Sequence, residues 1–153
     1  MSLNPGPTLI MPCAVISTAL PVEYLAVRAH LSNIHEEISP QGTIYECGHF
    51  AANGQAWKVG IFEAGAGNLQ TAIEVTQAIS YFNPQIVLSV GIATGIKDVS
   101  LGDIVVATKI YNYELGISGE RFQPRPEVEL ASYGLEQWAR AEAGKEAGLF
   151  HSK

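Results

Sequence analysis

Asn83–Ala107 reads NPQIVLSVGIATGIKDVSLGDIVVA, and how this stretch is read decides the fold. Pro84 cannot continue a helix and biases its neighbour away from helical backbone, so it closes whatever precedes it. Ile86–Val90 is a short apolar run rich in β-branched residues, the pattern of a strand covered on both faces. Gly91 and Gly95 let the backbone turn and come close to something. Asp98–Asp103 is a polar connection, and Ile104–Ala107 is strand-like again. In open α/β sheets, ligands sit beyond the carboxyl ends of the strands. Gly91–Gly95 is therefore the first place to look for a bound small molecule.

The chain upstream fits the same plan. Leu69–Phe82 carries Leu69, Ala72, Ile73, Ala78, Ile79 and Phe82 at helical spacing, and Ala64–Asn68, AGAGN, opens this helix. Before it, Thr43–Phe50 and Gln55–Glu63 are strand-like runs around Asn53-Gly54, a strong hairpin signal. Cys13–Ser17, after Pro12, reads as the first buried strand. Pro21 suits the first position of a helix. That helix is expected over Pro21–Ser32, with Leu25, Val27, Ala29 and Leu31 as buried candidates, and Ser32–Gly42 is expected to be a polar loop.

Downstream, Lys109–Tyr113 extends or follows the second strand of the opening stretch. Gly116–Pro126 reads as a loop, and Ser132–Ala147 as a helix capped by Ser132. Met1–Thr8 is a tail, and residues 9–153 are expected to belong to one domain. Strands alternating with helices predict an α/β, three-layer domain with a central sheet flanked by helices. The hairpin makes that sheet mixed.

Bulk composition narrows the function. A chain of 153 residues with 47% hydrophobic and 16% charged residues has enough apolar surface for a real core. The net charge of −6 and the lack of any Lys/Arg run argue against nucleic acid or an anionic membrane as partner. No apolar run approaches a bilayer span, and the N-terminus has no charged and apolar leader pattern. Cys13 and Cys47 are too few for a disulfide framework and read as reduced structural thiols, so the expected location is cytoplasmic. His30, His35, His49 and His151 show no metal-ligand spacing, so no metal site is expected.

VGIATGIKDVSLGDIVVATKIYNYE, from Val90 to Glu114, resembles the central signature of the nucleoside phosphorylase and nucleosidase superfamily. The glycine turn, the LGDIVV run and the tyrosine-bearing segment stand in the family's order. Two upstream stretches match as well, and the resemblance runs from Val15 to about Ala143. It implies a purine nucleoside or nucleotide as substrate, with no metal or organic cofactor. The wording also resembles phosphorylase-like modules of larger bacterial signalling or defence proteins.

The first upstream match is ISTALPVEYLAV. A glutamate in the first turn of a helix is ordinary, because it offsets the positive end of the helix dipole. The resemblance implies more: Glu23 matches, without a gap, the glutamate that activates the attacking water, and Leu20 matches a position against the ribose. The second match is Gly65-Ala66-Gly67. Alone it is a tight strand-to-helix turn, and Gln70 stands where a dinucleotide fingerprint wants a small residue. In the family the matching turn packs against the nucleoside, which makes Gly65, Ala66 and Gly67 ligand-adjacent. By the same resemblance Gly91, Ile92, Ala93 and Thr94 border base and sugar.

Two departures bear on the reaction. Phosphorylases usually carry an arginine two residues before the first glycine of the turn and a hydroxyl just after it. Here Ser89 and Ile92 stand there, and Glu23 occupies the first turn. A phosphate dianion needs cationic or several N–H donors, so hydrolysis is expected. The family's ribose-binding glutamate motif and purine-protonating aspartate are also missing. Glu120, Glu127, Glu129, Glu136, Glu142 and Glu146 lie in the wrong contexts to replace them.

The expectation is therefore the N-terminal part of a nucleosidase domain that lacks activity by itself. A non-catalytic nucleoside-sensing module, or a phosphate-dependent phosphorylase, is the alternative. An incomplete sheet leaves an unpaired edge and an uncovered apolar face, so a homo-oligomer is expected. Asp98 and Asp103 sit in turns, where aspartate commonly bonds its own backbone. Tyr111 and Tyr113 are expected in core or interface.

Overall fold

The computed structural model describes residues 11–52, 54–65, 67–112, 116–117, 123–124 and 127–145. The chain divides into two compact units, Met1–Ala93 and Thr94–Lys153.

The first unit holds a five-stranded sheet in the order β2-β3-β4-β1-β5. Its strands are β1 (Cys13–Thr18), β2 (Ser32–Ile38), β3 (Ile44–Ala52), β4 (Gln55–Glu63) and β5 (Ile86–Ser89), with helices α1 (Pro21–Arg28) and α2 (Asn68–Phe82) between them. β1 runs parallel to both β4 and β5. β3 runs antiparallel to both β2 and β4, so the sheet is mixed as the hairpin predicts. The β3–β4 register closes at Ala52 opposite Gln55, and Gly54 holds the left-handed φ of +76° that the turn requires. Asn53 lies outside the described residues.

Side chains alternate across a strand, and this sorts the core into two layers. On one face Val15, Tyr45, Cys47 and Phe62 pack with Ala78, Val75, Tyr81 and Phe82 of α2. On the other, Ala14, Val59 and Ile61 pack under Tyr24 and Val27 of α1, and under Leu31 just beyond it. Val15, Tyr45, Cys47 and Ile61 are completely buried. Each large apolar side chain so buried stabilises the fold by roughly 1.5–3 kcal/mol. Two glycines let the layers close: a Cβ on Gly60 would fall 2.8 Å from the Phe82 ring, and one on Gly48 2.9 Å from Leu31 Cβ. α2 stops where Pro84 says it should, with Asn83 left-handed at the C-cap and its N–H bonded to Ile79.

Several expectations are corrected. Ser32–Ile38 is a strand and not part of a loop: Glu36, Glu37 and Ile38 pair with β3, and the Asn33 bulge takes the irregularity. Charged residues hid it, yet charge is what an edge strand needs. α1 ends at Arg28, four residues early, and Leu25 and Ala29 face solvent. The α2 stripe buries only Ala78; Leu69, Ile73 and Ile79 are exposed. β5 is the sheet's outer strand, not one covered on both faces, and Val87, Leu88 and Val90 are at least 36% exposed. Hydrophobicity alone does not distinguish a central strand from one paired on a single side.

In the second unit, β6 (Lys109–Asn112) pairs antiparallel with β9 (Glu127–Leu130), and β7 (Gly116–Ile117) with β8 (Gln123–Pro124). The last two fall inside the expected Gly116–Pro126 loop, and β9 was not read from the sequence. Ile104–Ala107 forms no strand and is exposed. Tyr111 is 54% exposed and so lies outside the core, and Tyr113 lies outside the described residues. Helix α3 spans Tyr133–Lys145, with the Glu136 N–H bonded to the Ser132 carbonyl. Met1–Thr8 and the end of the predicted last helix also lie outside the described residues. Among the described residues no helix is long and apolar enough to cross a membrane.

Candidate active site

β4, β1 and β5 lie side by side and parallel, so their carboxyl ends reach the same border of the sheet. Thr18 stands opposite Glu63, and Ser17 opposite Ser89. Backbone bonds tie the turns that follow: the Ala64 N–H donates to the Thr18 carbonyl at 2.8 Å, and Val90 N–H to Ser17 at 3.0 Å. Parts of three predicted segments, Thr18–Glu23, Ala64–Gly65 and Gly91–Ala93, therefore leave one border together.

Glu23 is the centre of this border. It is the third residue of α1 and is buried, with 6% of its surface exposed. Oε2 accepts from the Ala19 and Leu20 N–H groups, both at 2.9 Å, and Oε1 from the Ile92 N–H at 2.7 Å. Leu20 is the helix N-cap but has no side-chain oxygen to offer. Glu23, at the third helical position, reaches back instead and satisfies the N–H of the N-cap itself, the other half of a capping box. Charge-assisted bonds of this kind hold its carboxyl below the ordinary glutamate value: Ile92 contributes most, burial opposes, and Ala19 and Leu20 add to it. A carboxylate has about four lone-pair sites, so three protein donors leave room for one from a water.

Gly91 serves this arrangement directly. A Cβ there would lie 2.9 Å from Glu23 Oε1, so the missing side chain is the seat of the carboxylate. Ile92, which stands where phosphorylases place a hydroxyl, gives its N–H to Glu23, and its side chain is 74% exposed. Leu20 is 45% exposed beside them. Gly65 and Gly67 have φ of +70° and +131°, and Gly67 is the N-cap of α2. These angles account for both glycines, whatever they touch. Ala66 lies outside the described residues. Thr94 is exposed and begins the second unit.

Of the two turn aspartates, Asp103 makes the local backbone bond expected of it. Asp98 is left-handed, with φ of 57°, and the Asp103 carboxylate accepts the Ser100 N–H at 2.8 Å. Cys13 and Cys47 are free and buried, and burial pushes the Cys47 thiol up to about 12.

Two clusters escaped the sequence. Tyr24 O–H donates to Glu46 at 2.5 Å, and Arg28 Nε to both Glu46 oxygens at 2.8 and 2.9 Å. The i, i+4 spacing of Tyr24 and Arg28 was the signal available, but their partner lay on a distant strand. The second cluster brings His35, Glu37 and Cys47 ligand atoms within 4.8 Å of one another, an arrangement that can hold a metal ion. The expected absence of metal spacing missed it, because the residues meet only through the β2–β3 register. Here Lys58 Nζ lies 2.7 Å from Glu37, His35 Nε2 3.2 Å, and Tyr81 O–H donates at 3.3 Å. An ammonium already stands on the carboxylate, so the cluster is a charge hub joining β2, β4 and α2.

Known proteins can now be set beside this geometry. The ATP nucleosidase Cap17 of Escherichia coli is 33% identical over 126 residues, covering 76% of this chain and 25% of its own. A 5'-methylthioadenosine/S-adenosylhomocysteine nucleosidase of a Marinomonas species is 24% identical over 102 residues, covering 66% of this chain and 42% of its own. In fold, the crystal structure of the Helicobacter pylori nucleosidase of that type superposes with a TM-score of 0.71 at 19% identity. It covers 90% of this chain and 60% of the other. The Colwellia psychrerythraea nucleosidase in complex with adenine gives 0.71 at 20% identity, covering 91% and 57%. The chain thus spans between a quarter and about three fifths of the length of these relatives. Residues 14–151 match the family described as the phosphorylase superfamily, and with the sheet and its border as described, the chain belongs to that superfamily.

Proposed function

We propose that this chain is the N-terminal part of a purine nucleosidase domain that hydrolyses the N-glycosidic bond of a nucleoside or nucleotide. The observation that carries the reading is the Glu23 carboxylate, held by three backbone N–H groups at the carboxyl ends of the parallel strands. The named relatives act on N-glycosides of adenine, which supports a purine as leaving group.

Departure of the base leaves an oxocarbenium-like sugar, an electrophile strong enough to accept neutral water. A strong base is not needed; a fixed acceptor is. Glu23 stays ionised near neutral pH, orients the water through its remaining lone pair, and takes the proton as the C–O bond forms. Leu20, Gly65, Ala66, Gly67 and Gly91–Thr94 border the nucleoside on this reading. The residues that bind the ribose hydroxyls and protonate the base lie outside these 153 residues. The proposed setting is the cytoplasm, and the proposed assembly a homo-oligomer.

The test is release of free base from purine nucleosides and nucleotides by the full-length protein. Glu23→Gln keeps shape and removes the proton acceptor. It should lower kcat by on the order of 10²–10⁴ and leave KM nearly unchanged. A Glu23→Gln enzyme with wild-type turnover overturns the assignment.

A further inference from the structure

We propose that Glu46 is a positioning residue for Glu23: by gripping Tyr24 and Arg28 it sets the rotation of α1 about its own axis, and with it where the Glu23 carboxylate points. The inference rests on Glu23 as the water-holding residue, but its first readout does not.

α1 has eight residues, too few to be stable alone in water. Its outer face is loosely committed, with Val22 and Leu25 58% and 60% exposed. Its inner face meets the sheet through Tyr24 and Val27, with Leu31 beyond its end, against Ala14, Val59 and Ile61. Apolar packing of this kind is non-directional. It holds the helix down without fixing its angle.

The directional contacts are few. Among the described residues, the side-chain hydrogen bonds from α1 to the sheet strands are those of Tyr24 and Arg28, and both end on Glu46 of β3. Glu46 itself is fixed, since it stands opposite Ile61 in the antiparallel ladder and its side chain is 16% exposed. It accepts a phenol and a guanidinium four residues apart, two points one helical turn apart on the same face.

Glu23 precedes Tyr24 by one residue, so any rotation that releases Tyr24 swings Glu23 as well. At a helix radius of roughly 5–6 Å including side chains, about 10° of rotation moves a side-chain tip by about 1 Å. The bond to Ile92 N–H is 2.7 Å, and displacement on that scale takes it out of good range. The Arg28 contact is half-exposed at 42% and by itself adds little stability. Its consequence is orientation. Arg28 chiefly draws the Glu46 carboxyl down, while burial first and the bond to Glu46 second push the Tyr24 phenol up.

The experiment follows the carbon-13 carboxyl resonance of Glu23 across an acid titration of this chain, assigned with Glu23→Gln. In the wild type, Glu23 should titrate below the ordinary glutamate range. In Glu46→Ala and in Tyr24→Phe, its midpoint should rise by about half a pH unit or more, because part of the N–H bonding is lost. Val27→Ala, which thins the packing without touching Glu46, is the control and should leave the midpoint in place. An unmoved midpoint in Glu46→Ala, or an equal shift in Val27→Ala, overturns the proposal. In the full-length protein, Glu46→Ala should lower kcat several-fold with KM nearly constant and move the acid limb upward. If Glu46→Ala shifts the midpoint but Glu23→Gln keeps full turnover, the positioning stands and the function of Glu23 fails.

Discussion

At the scale of single residues, Glu23 does two things at once. It neutralises the first turn of α1, the ordinary use of an acid there. It also bridges from that turn to the Ile92 N–H beyond β5, a long-range contact no local rule predicts. Gly91 makes this bridge possible, and the nearest atoms to its missing Cβ are the end of a flexible side chain. Gly91→Ala should therefore leave urea stability within about 1 kcal/mol of wild type, while full-length turnover falls at least ten-fold. Equal turnover in Gly91→Ala would mean that the carboxylate can work from another place. Glu23 and Gly91 were legible as separate site residues. Their direct contact was not, because residues sixty-eight positions apart carry no pairwise signal in one sequence.

At the scale of elements, what could be read depended on burial. β1, lying between two parallel partners, is apolar from Cys13 to Ile16 and was placed to within a residue. The hairpin and the end of α2 were legible because Asn53-Gly54 and Pro84 act through local backbone geometry. β2 was missed because it shows no period of two: its half-buried positions, Ile34 and Glu37, are three apart across the irregularity between Ser32 and His35. α2 docks through its C-terminal half, from Val75 to Phe82, and Phe82 lies over Gly60. Gly60→Ala should cost about 1–3 kcal/mol through overpacking, read as a lower urea midpoint. Adding Phe82→Leu should recover part of that loss. A Gly60→Ala protein as stable as wild type would show that α2 moves away freely.

For the whole molecule, acid is the informative perturbation. The Glu23 and Glu46 carboxyls are both held below the ordinary value of 4.5, by Ile92 and Arg28 respectively. Their depressed pKa values contribute stability that is fully present above that value and lost as pH falls through the folded ones. Denaturation midpoints should be level near neutrality and drop below about pH 4.5, less steeply in Glu46→Gln. A midpoint drop in Glu46→Gln as steep as in wild type would count against the assignment. The exposed apolar residues of β5 also predict self-association that grows with concentration. Light scattering that reports a monomer at all concentrations would contradict this. The central claim concerns the nucleophile, and product analysis tests it most directly. The full-length protein should convert a purine nucleoside or nucleotide to free base and free sugar, at the same rate with and without phosphate. Turnover that needs phosphate and yields sugar 1-phosphate would contradict the account.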